Sequence, residues 1–305
     1  MNNPVFSRAT NLLCLFVIAG VGMSALQASP DNKLTPTEVV AKHLESIGPA
    51  EARARVHGTQ IKGTCALSVT MGGSGQSEGQ ALMASQGSQN LMKLVFDSEE
   101  GATWFKFDGS KTMVSQFRPG RRTALEQFFA AYDVIVKEGL VGGTLSESWP
   151  LLDLQQKNPK LEYSGLKKIG GKELHAIKYT PRKGSDLKIT LFFEPETFRH
   201  VRTEYEQTIY VTDQQRIAGG GGTLPSISSQ RAANARLNVF EEFSDFKPEG
   251  GLSLPHTYKF ELSIQSETKP ALVDWVFKLT DFTFNAPLDA SVFTSGNAPS
   301  KEKPN

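Results

Sequence analysis

The sequence has few of the residues from which disulfide and metal sites are built. Its 305 residues include two cysteines, and one of them, Cys14, lies in an N-terminal apolar run. Without that run Cys65 is alone, so an internal disulfide is excluded. The five histidines share no metal-ligand spacing, which favours scattered surface or strand-edge histidines over a metal site. The pattern therefore predicts no metal and no cofactor.

Neither sign of charge is in excess. The chain has 33 basic and 32 acidic residues, and residues 1–28 hold one of the basic residues, Arg8, and no acid. The remainder therefore carries 32 of each sign. Nucleic-acid binding depends on phosphate neutralisation by surplus lysine and arginine, so a nucleic-acid partner is not expected. Broad attraction to an anionic membrane is not expected either.

Long hydrophobic runs are also missing. The longest, residues 12–21, is too short for a membrane span of ~20 residues. It follows a polar segment and precedes Ser24, Ala25 and Ala28, and a Ser-Pro pair then ends any helix. This order predicts a signal peptide over residues 1–28, with cleavage after Ala25 or Ala28, and export to the periplasm or secretion. The alternative is a retained N-terminal anchor.

Two segments carry helix-start signals. Thr35 and Glu38 form a predicted capping box, as do Thr123 and Glu126. In residues 123–138 apolar side chains recur at helical spacing, and Gly139 is placed to end the helix. The sequence thus predicts one short helix near residue 36 and a longer amphipathic helix over residues 123–138.

Most of the remaining chain shows the alternation of half-buried strands. Cys65 lies on the apolar face of one of them, which favours a small core hydrophobe over a reactive thiol. Short glycine-containing turns join the strands and leave no room for parallel crossovers, so the class is α+β, mostly antiparallel β. Strands are predicted at residues 61–71, 79–85, 90–96, 102–108, 111–117, 163–169, 172–180, 187–194, 198–210, 237–246, 256–265 and 272–284.

No linker divides the chain, which predicts a single domain over residues 29–294. Within it, residues 211–236 are polar and include four consecutive glycines, so a mobile loop is expected there. Residues 295–305 are expected to form a disordered tail.

Catalytic signatures are incomplete. Residues 72–76 lack the last glycine of a GxSxG motif, and the glycines at 219–222 are not followed by Lys-Ser/Thr. An SxxK match at Ser164 has no companion KTG motif. No catalytic residue is assigned, and the chain is predicted not to be an enzyme.

What remains is a set of apolar side chains on two strands and on the amphipathic helix. Such a set forms either an ordinary core or the lining of a hydrophobic ligand cavity. The residues proposed as cavity lining are Met92, Leu94, Phe96, Phe105, Phe107, Leu125, Phe128, Phe129 and Tyr132.

The C-terminal segment indicates a family. Residues 279–293, LTDFTFNAPLDASVF, resemble the ending of LolA-like outer-membrane lipoprotein-sorting proteins and their LppX-type relatives. In that family a final strand reaches an Asn-x-Pro-Leu-Asp segment and then a phenylalanine. The resemblance implies an unclosed, strongly curved β-barrel, a half-barrel, with helices covering its concave face. It also implies a periplasmic carrier of acyl chains.

Three functions are compatible with these expectations. The first is a monomeric carrier of lipid or lipoprotein acyl chains, with donor or acceptor proteins at the inner or outer membrane. The second is an envelope structural or interaction protein with the same fold and a filled core. The third is an enzyme of an unfamiliar type. A cavity would separate the first from the second, and a cleft with clustered titratable groups would support the third.

Overall fold

The computed structural model describes residues 34–70, 74–96, 102–116, 119, 122–211, 218–219, 222–223, 233–265 and 271–294. The predicted signal peptide and C-terminal tail lie outside these residues. Most of the predicted loop over residues 211–236 does so too. Inside that segment two short strands pair with each other, β10 (Ala218–Gly219) and β11 (Gly222–Thr223).

Twelve strands form one antiparallel sheet in the order β5-β4-β3-β2-β1-β14-β13-β12-β9-β8-β7-β6. Within the described residues the two end strands, β5 and β6, do not pair with each other, so the sheet is not closed. The fold is the predicted unclosed half-barrel. The strands are β1 (Thr59–Thr70), β2 (Ser74–Gln86), β3 (Gln89–Phe96), β4 (Ala102–Phe107), β5 (Thr112–Val114), β6 (Lys160–Ile169), β7 (Lys172–Thr180), β8 (Lys188–Phe193), β9 (His200–Val211), β12 (Ala233–Glu249), β13 (Leu252–Gln265) and β14 (Ala271–Phe284).

Tight turns explain why neighbouring strands in the chain are neighbours in the sheet. Gly87 lies at φ +57° between β2 and β3, and Gly170 and Gly171 lie at φ +56° and +85° between β6 and β7. Glycine adopts this left-handed region without a steric penalty, which allows hairpins this short. β14 is the exception to chain order: it pairs with both β1 and β13 and so joins the two meanders.

The helices are short and lie mainly between the two meanders in sequence. α1 begins with the predicted capping box, in which the Glu38 N–H donates to the Thr35 hydroxyl over 3.2 Å. The predicted helix over residues 123–138 is two helices, because the chain leaves helical geometry at Tyr132. The helices are α1 (Pro36–Ile47), α2 (Ala50–Ala54), α3 (Ala124–Ala131), α4 (Val134–Glu138), α5 (Leu154–Lys157) and α6 (Ser291–Thr294), with one 3-10 turn at Gly143–Leu145.

The principal hydrophobic cluster lies between one face of the sheet and the segment from α3 to Leu151, with α1 beside it. This is the concave face of the half-barrel. On the opposite, outer face of β2 and β3, the C-terminal Phe293 packs fully buried against Ala84 and Leu91. Among the described residues, no helix combines the length and apolar character that a membrane crossing requires.

Candidate ligand-binding face

The structure brings the nine proposed lining residues together. All of them belong to the principal hydrophobic cluster or pack against it. Met92 of β3 is the cross-strand partner of Phe105 of β4, so the apolar faces of these two strands form one surface. The four residues contributed by α3 and its C-terminal end lie on the same cluster. The side chains of Phe96, Phe107 and Tyr132 are partly buried, and the other six are buried.

α3 is positioned by polar contacts at its first turn. The Glu126 N–H donates to the Thr123 hydroxyl over 3.2 Å, and the Thr123 N–H donates to the Glu126 carboxylate over 2.8 Å. Ser115, which follows β5, donates a short hydrogen bond to the same carboxylate. Glu126 is fully buried, so these donors replace the water it has lost. The capping box therefore ties α3 to the β5 end of the sheet.

Aromatic rings of α3 fill the concave face. The Phe129 ring stacks on Phe105 with centroids 3.8 Å apart and lies 5.6 Å from Phe260 of β13. Phe128 contacts Tyr205 of β9 at 6.3 Å. Beside Phe260 on the same face lies its cross-strand partner Trp275 of β14, with ring centroids 5.8 Å apart. The rings of α3 thus contact an aromatic wall that extends across the sheet from β4 to β9.

A small cavity lies on the other side of Phe105 from Phe129, where Met92 also lines it. Its volume is about 20 Å³, which is room for about one water molecule. Binding pockets for ligands are typically about 300–1,000 Å³, so this cavity does not accommodate an acyl chain. The cavity is lined by Met83, Ala84, Ser85, Asn90, Leu91, Met92, Phe105, Val141, Leu145 and Ser146.

A buried carboxylate lies on the same face and was not among the predicted residues. Glu241 of β12 accepts hydrogen bonds from the Tyr205 hydroxyl at 2.6 Å, the Tyr258 hydroxyl at 2.8 Å and the Gly142 N–H at 2.7 Å. Burial raises the pKa of Glu241 to about 7. The sequence did indicate that Glu241 is buried, because in the strand alternation it lies on the same side as the inward-facing Val239 and Phe243. Through its bond to the Gly142 N–H, Glu241 anchors the segment after α4 to the sheet.

The prediction that the histidines are surface or strand-edge residues is wrong for His43, His175, His200 and His256, which are all buried. His43 and His200 are almost fully buried beside Trp149. The Trp149 indole N–H donates to His43 Nε2 over 3.1 Å, and His43 Nδ1 donates to the carbonyl of Phe198 over 3.1 Å. Burial lowers the pKa of His43 to about 4 and that of His200 well below its usual range, so both rings are neutral at pH 7. They pack as core aromatics.

Neither a reactive thiol nor a metal centre is present among the described residues. Cys65 of β1 is buried, and burial raises the pKa of its thiol to about 12, so the nucleophilic thiolate is not populated at neutral pH. The interpretation of Cys65 as a small core hydrophobe is confirmed. Across the same residues, no three His, Cys, Asp or Glu side chains are grouped to hold a metal ion.

Comparisons with known proteins agree with this architecture. No protein-family model matches the chain, and no curated protein matches it in sequence. Among solved structures, the chain is similar to a LolA superfamily protein from Nitrosomonas europaea, with 11% identity and a TM-score of 0.43 over 86% of this chain and 98% of that one. The unclosed antiparallel sheet is the fold that the resemblance of the C-terminal segment implies.

Two further structures extend the comparison. A DUF1329 family protein from Desulfovibrio piger is 10% identical, with a TM-score of 0.38 over 86% of this chain and 98% of that one. The lipoprotein LppX from Mycobacterium tuberculosis is 13% identical, with a TM-score of 0.19 over 55% of this chain and 87% of that one.

Proposed function

We propose that this protein is a periplasmic carrier of lipid or lipoprotein acyl chains, which bind on the concave face when α3 moves away from it. The observation that carries the proposal is the aromatic wall under α3, which includes Phe105, Tyr205 and Phe260. A sheet face this apolar must be covered, and the part that carries these rings is covered by α3, a helix of eight residues. An acyl chain is apolar too, so it can cover the same side chains in place of the helix.

Because α3 is short, its replacement by an acyl chain on the concave face is energetically feasible. Isolated helices below ~12 residues are marginal in water, so α3 depends on its contacts with the wall. A buried acyl chain contributes about 0.8 kcal/mol per methylene, and twelve methylenes contribute about 10 kcal/mol. Association costs about 4–15 kcal/mol, and the contacts of α3 must also be replaced. Cargo with two or more acyl chains is therefore favoured over a single fatty acid.

In this proposal the nine apolar residues divide into two groups. Met92, Leu94, Phe96, Phe105 and Phe107 belong to the wall together with Tyr205 and Phe260, and the movable cover comprises Leu125, Phe128, Phe129 and Tyr132. The proposal assigns no catalytic residue and no cofactor. Carriage between membranes also requires donor and acceptor proteins in the envelope, which would exchange the cargo with a monomeric carrier.

Protein isolated from its native envelope is expected to carry a multi-acyl lipid in native mass spectrometry. Leu94→Trp should reduce the bound fraction severalfold, because Leu94 is fully buried in the wall and the larger side chain occupies its space. Leu82→Trp is the matched control, since Leu82 packs with the outer cluster around Phe293. Circular dichroism is used to check that both variants are folded.

A folded wild-type protein without lipid, which also binds no acyl probe at micromolar concentration, would contradict the carrier proposal. The second candidate would then take its place, an envelope structural or interaction protein with a filled core. The full burial of Phe129 and the small size of the cavity favour that candidate.

A further inference from the structure

The hairpin of β6 and β7 ends in a ribbon that extends beyond the rest of the sheet. β8 pairs with β7 from His175 to Tyr179, where His175 faces Phe193. Residues 167–174 lie beyond this point and pair only with each other, across the Gly170-Gly171 turn. Because β6 is also the last strand of the sheet order, the ribbon is accessible from its outer edge.

One large apolar side chain, Leu166, is exposed at the base of this ribbon. The register shifts between Tyr163 and Leu166, and Gly165 lies at φ +79° in this bulge. Leu166 directly follows the bulge and is 48% exposed, a high value for a leucine in a folded domain. Ile169, just before the turn, is partly buried and packs against the cluster of Leu174 and Phe192 on the other face of the ribbon. A bulge at a sheet edge commonly redirects a side chain, and here an aliphatic one faces solvent.

Positive charge surrounds Leu166. Lys167, Lys168 and Lys172 are all exposed, and Glu173 is the one acidic residue of the ribbon. None of the three lysines forms an ion pair with another described residue. The ribbon thus carries a local surplus of two positive charges in a chain that is close to neutral. This surplus is concentrated within eight residues.

We propose that the tip of this hairpin, residues 166–173, docks the protein on an anionic phospholipid surface. Leu166 enters the interfacial region of the bilayer, and the three lysines lie at the level of the lipid phosphates. Apolar insertion combined with attraction to anionic lipids is the general basis of reversible interfacial binding. The proposal goes beyond acyl-chain carriage and does not rest on it, because a docking tip needs no internal cavity.

The shape of the tip favours a membrane over an acidic protein. A stable protein interface buries about 800 Å² on each partner and has an apolar centre with a polar rim. The tip is instead a narrow ribbon with one exposed aliphatic side chain among lysines, and a bilayer accepts such a projection without a complementary surface. An acidic protein partner is the alternative that the experiment below must separate.

The test is co-sedimentation of the exported protein with vesicles at low ionic strength. Wild-type protein is expected to bind vesicles that contain phosphatidylglycerol and to remain in solution with vesicles of phosphatidylcholine alone. Lys167→Glu combined with Lys168→Glu should lower the partition coefficient at least about tenfold, since each lysine near an anionic surface contributes to attraction. Leu166→Asp should also lower it, and salt should weaken wild-type binding.

A double variant with the same change in charge is the control. Lys62→Glu combined with Lys111→Glu alters exposed lysines on β1 and beside β5, so it should retain most of the binding. Equal losses in the two double variants would overturn the proposal in favour of a general charge effect. Absence of wild-type binding to anionic vesicles would also overturn it, and the tip would then be a candidate contact for an acidic protein. Acyl-probe binding is measured separately, so failure of docking and failure of carriage are distinguishable.

Discussion

Phe129→Ala is expected to lower the free energy of unfolding by about 3–5 kcal/mol, and acyl ligands are expected to restore part of this loss. Phe129 is fully buried and stacks on Phe105, so its removal leaves a void between α3 and the wall. A dry apolar void binds apolar ligands. If the wall accepts acyl chains, a saturating acyl probe should raise the melting temperature of Phe129→Ala more than that of the wild type.

Phe293→Ala is the matched control for this experiment. Phe293 is equally buried, but it packs against Ala84 and Leu91 on the outer face of the sheet. The same truncation should therefore destabilise the protein without creating a void on the concave face. Rescue of Phe129→Ala and not of Phe293→Ala is the expected result. Equal rescue of both variants, or of neither, would argue against a ligand site under α3.

Glu241→Ala is expected to cause the second large loss of stability. The substitution removes the acceptor for two tyrosine hydroxyls and for the Gly142 N–H in the protein interior. Each buried donor left unpaired costs about 1–3 kcal/mol, so the free energy of unfolding should fall by at least about 3 kcal/mol. Urea denaturation monitored by circular dichroism measures the change.

Glu241→Gln separates loss of the acceptor from loss of the charge. Glutamine retains one acceptor oxygen, and tyrosine hydroxyls can reorient to accept from its amide, so the expected loss is smaller than for alanine. Glu242→Ala, on the partly exposed neighbour that pairs with Arg202, should cost no more than about 1 kcal/mol. If alanine and glutamine at position 241 have the same effect, the hydrogen-bond account of this site is wrong.

The parts of the fold that depend on local sequence were predictable. Both capping boxes form with reciprocal hydrogen bonds, because hydroxyl and carboxylate lie three residues apart and need no distant partner. The Gly170-Gly171 turn also forms where the sequence indicated it. The nine apolar residues meet on one surface because strand parity decides which face each side chain occupies.

Features that depend on distant partners were not predictable. Period-2 alternation shows that β14 is a strand, but it does not show that this strand pairs with β1 across more than 200 residues of sequence. The break at Tyr132 was hidden because Ile135 and Val136 remain buried and continue the apolar pattern. The size of the cavity depends on how side-chain volumes fill the concave face, which a hydrophobic pattern does not report.

The location of a bound acyl chain tests the central claim most directly. Brominated acyl chains quench tryptophan fluorescence at short range, and the tryptophans lie in different places. Trp275 lies beside Phe260 on the concave face, whereas Trp104 packs with the outer cluster. Titration of a brominated lipid into Trp104→Phe and Trp275→Phe therefore compares the two faces, with Trp149 present in both variants.

The account predicts strong quenching in Trp104→Phe, which retains Trp275, and weak quenching in Trp275→Phe. The non-brominated lipid serves as the reference for each variant. Equal quenching of the two variants, or quenching only where Trp104 is retained, would contradict the binding of acyl chains to the concave face under α3.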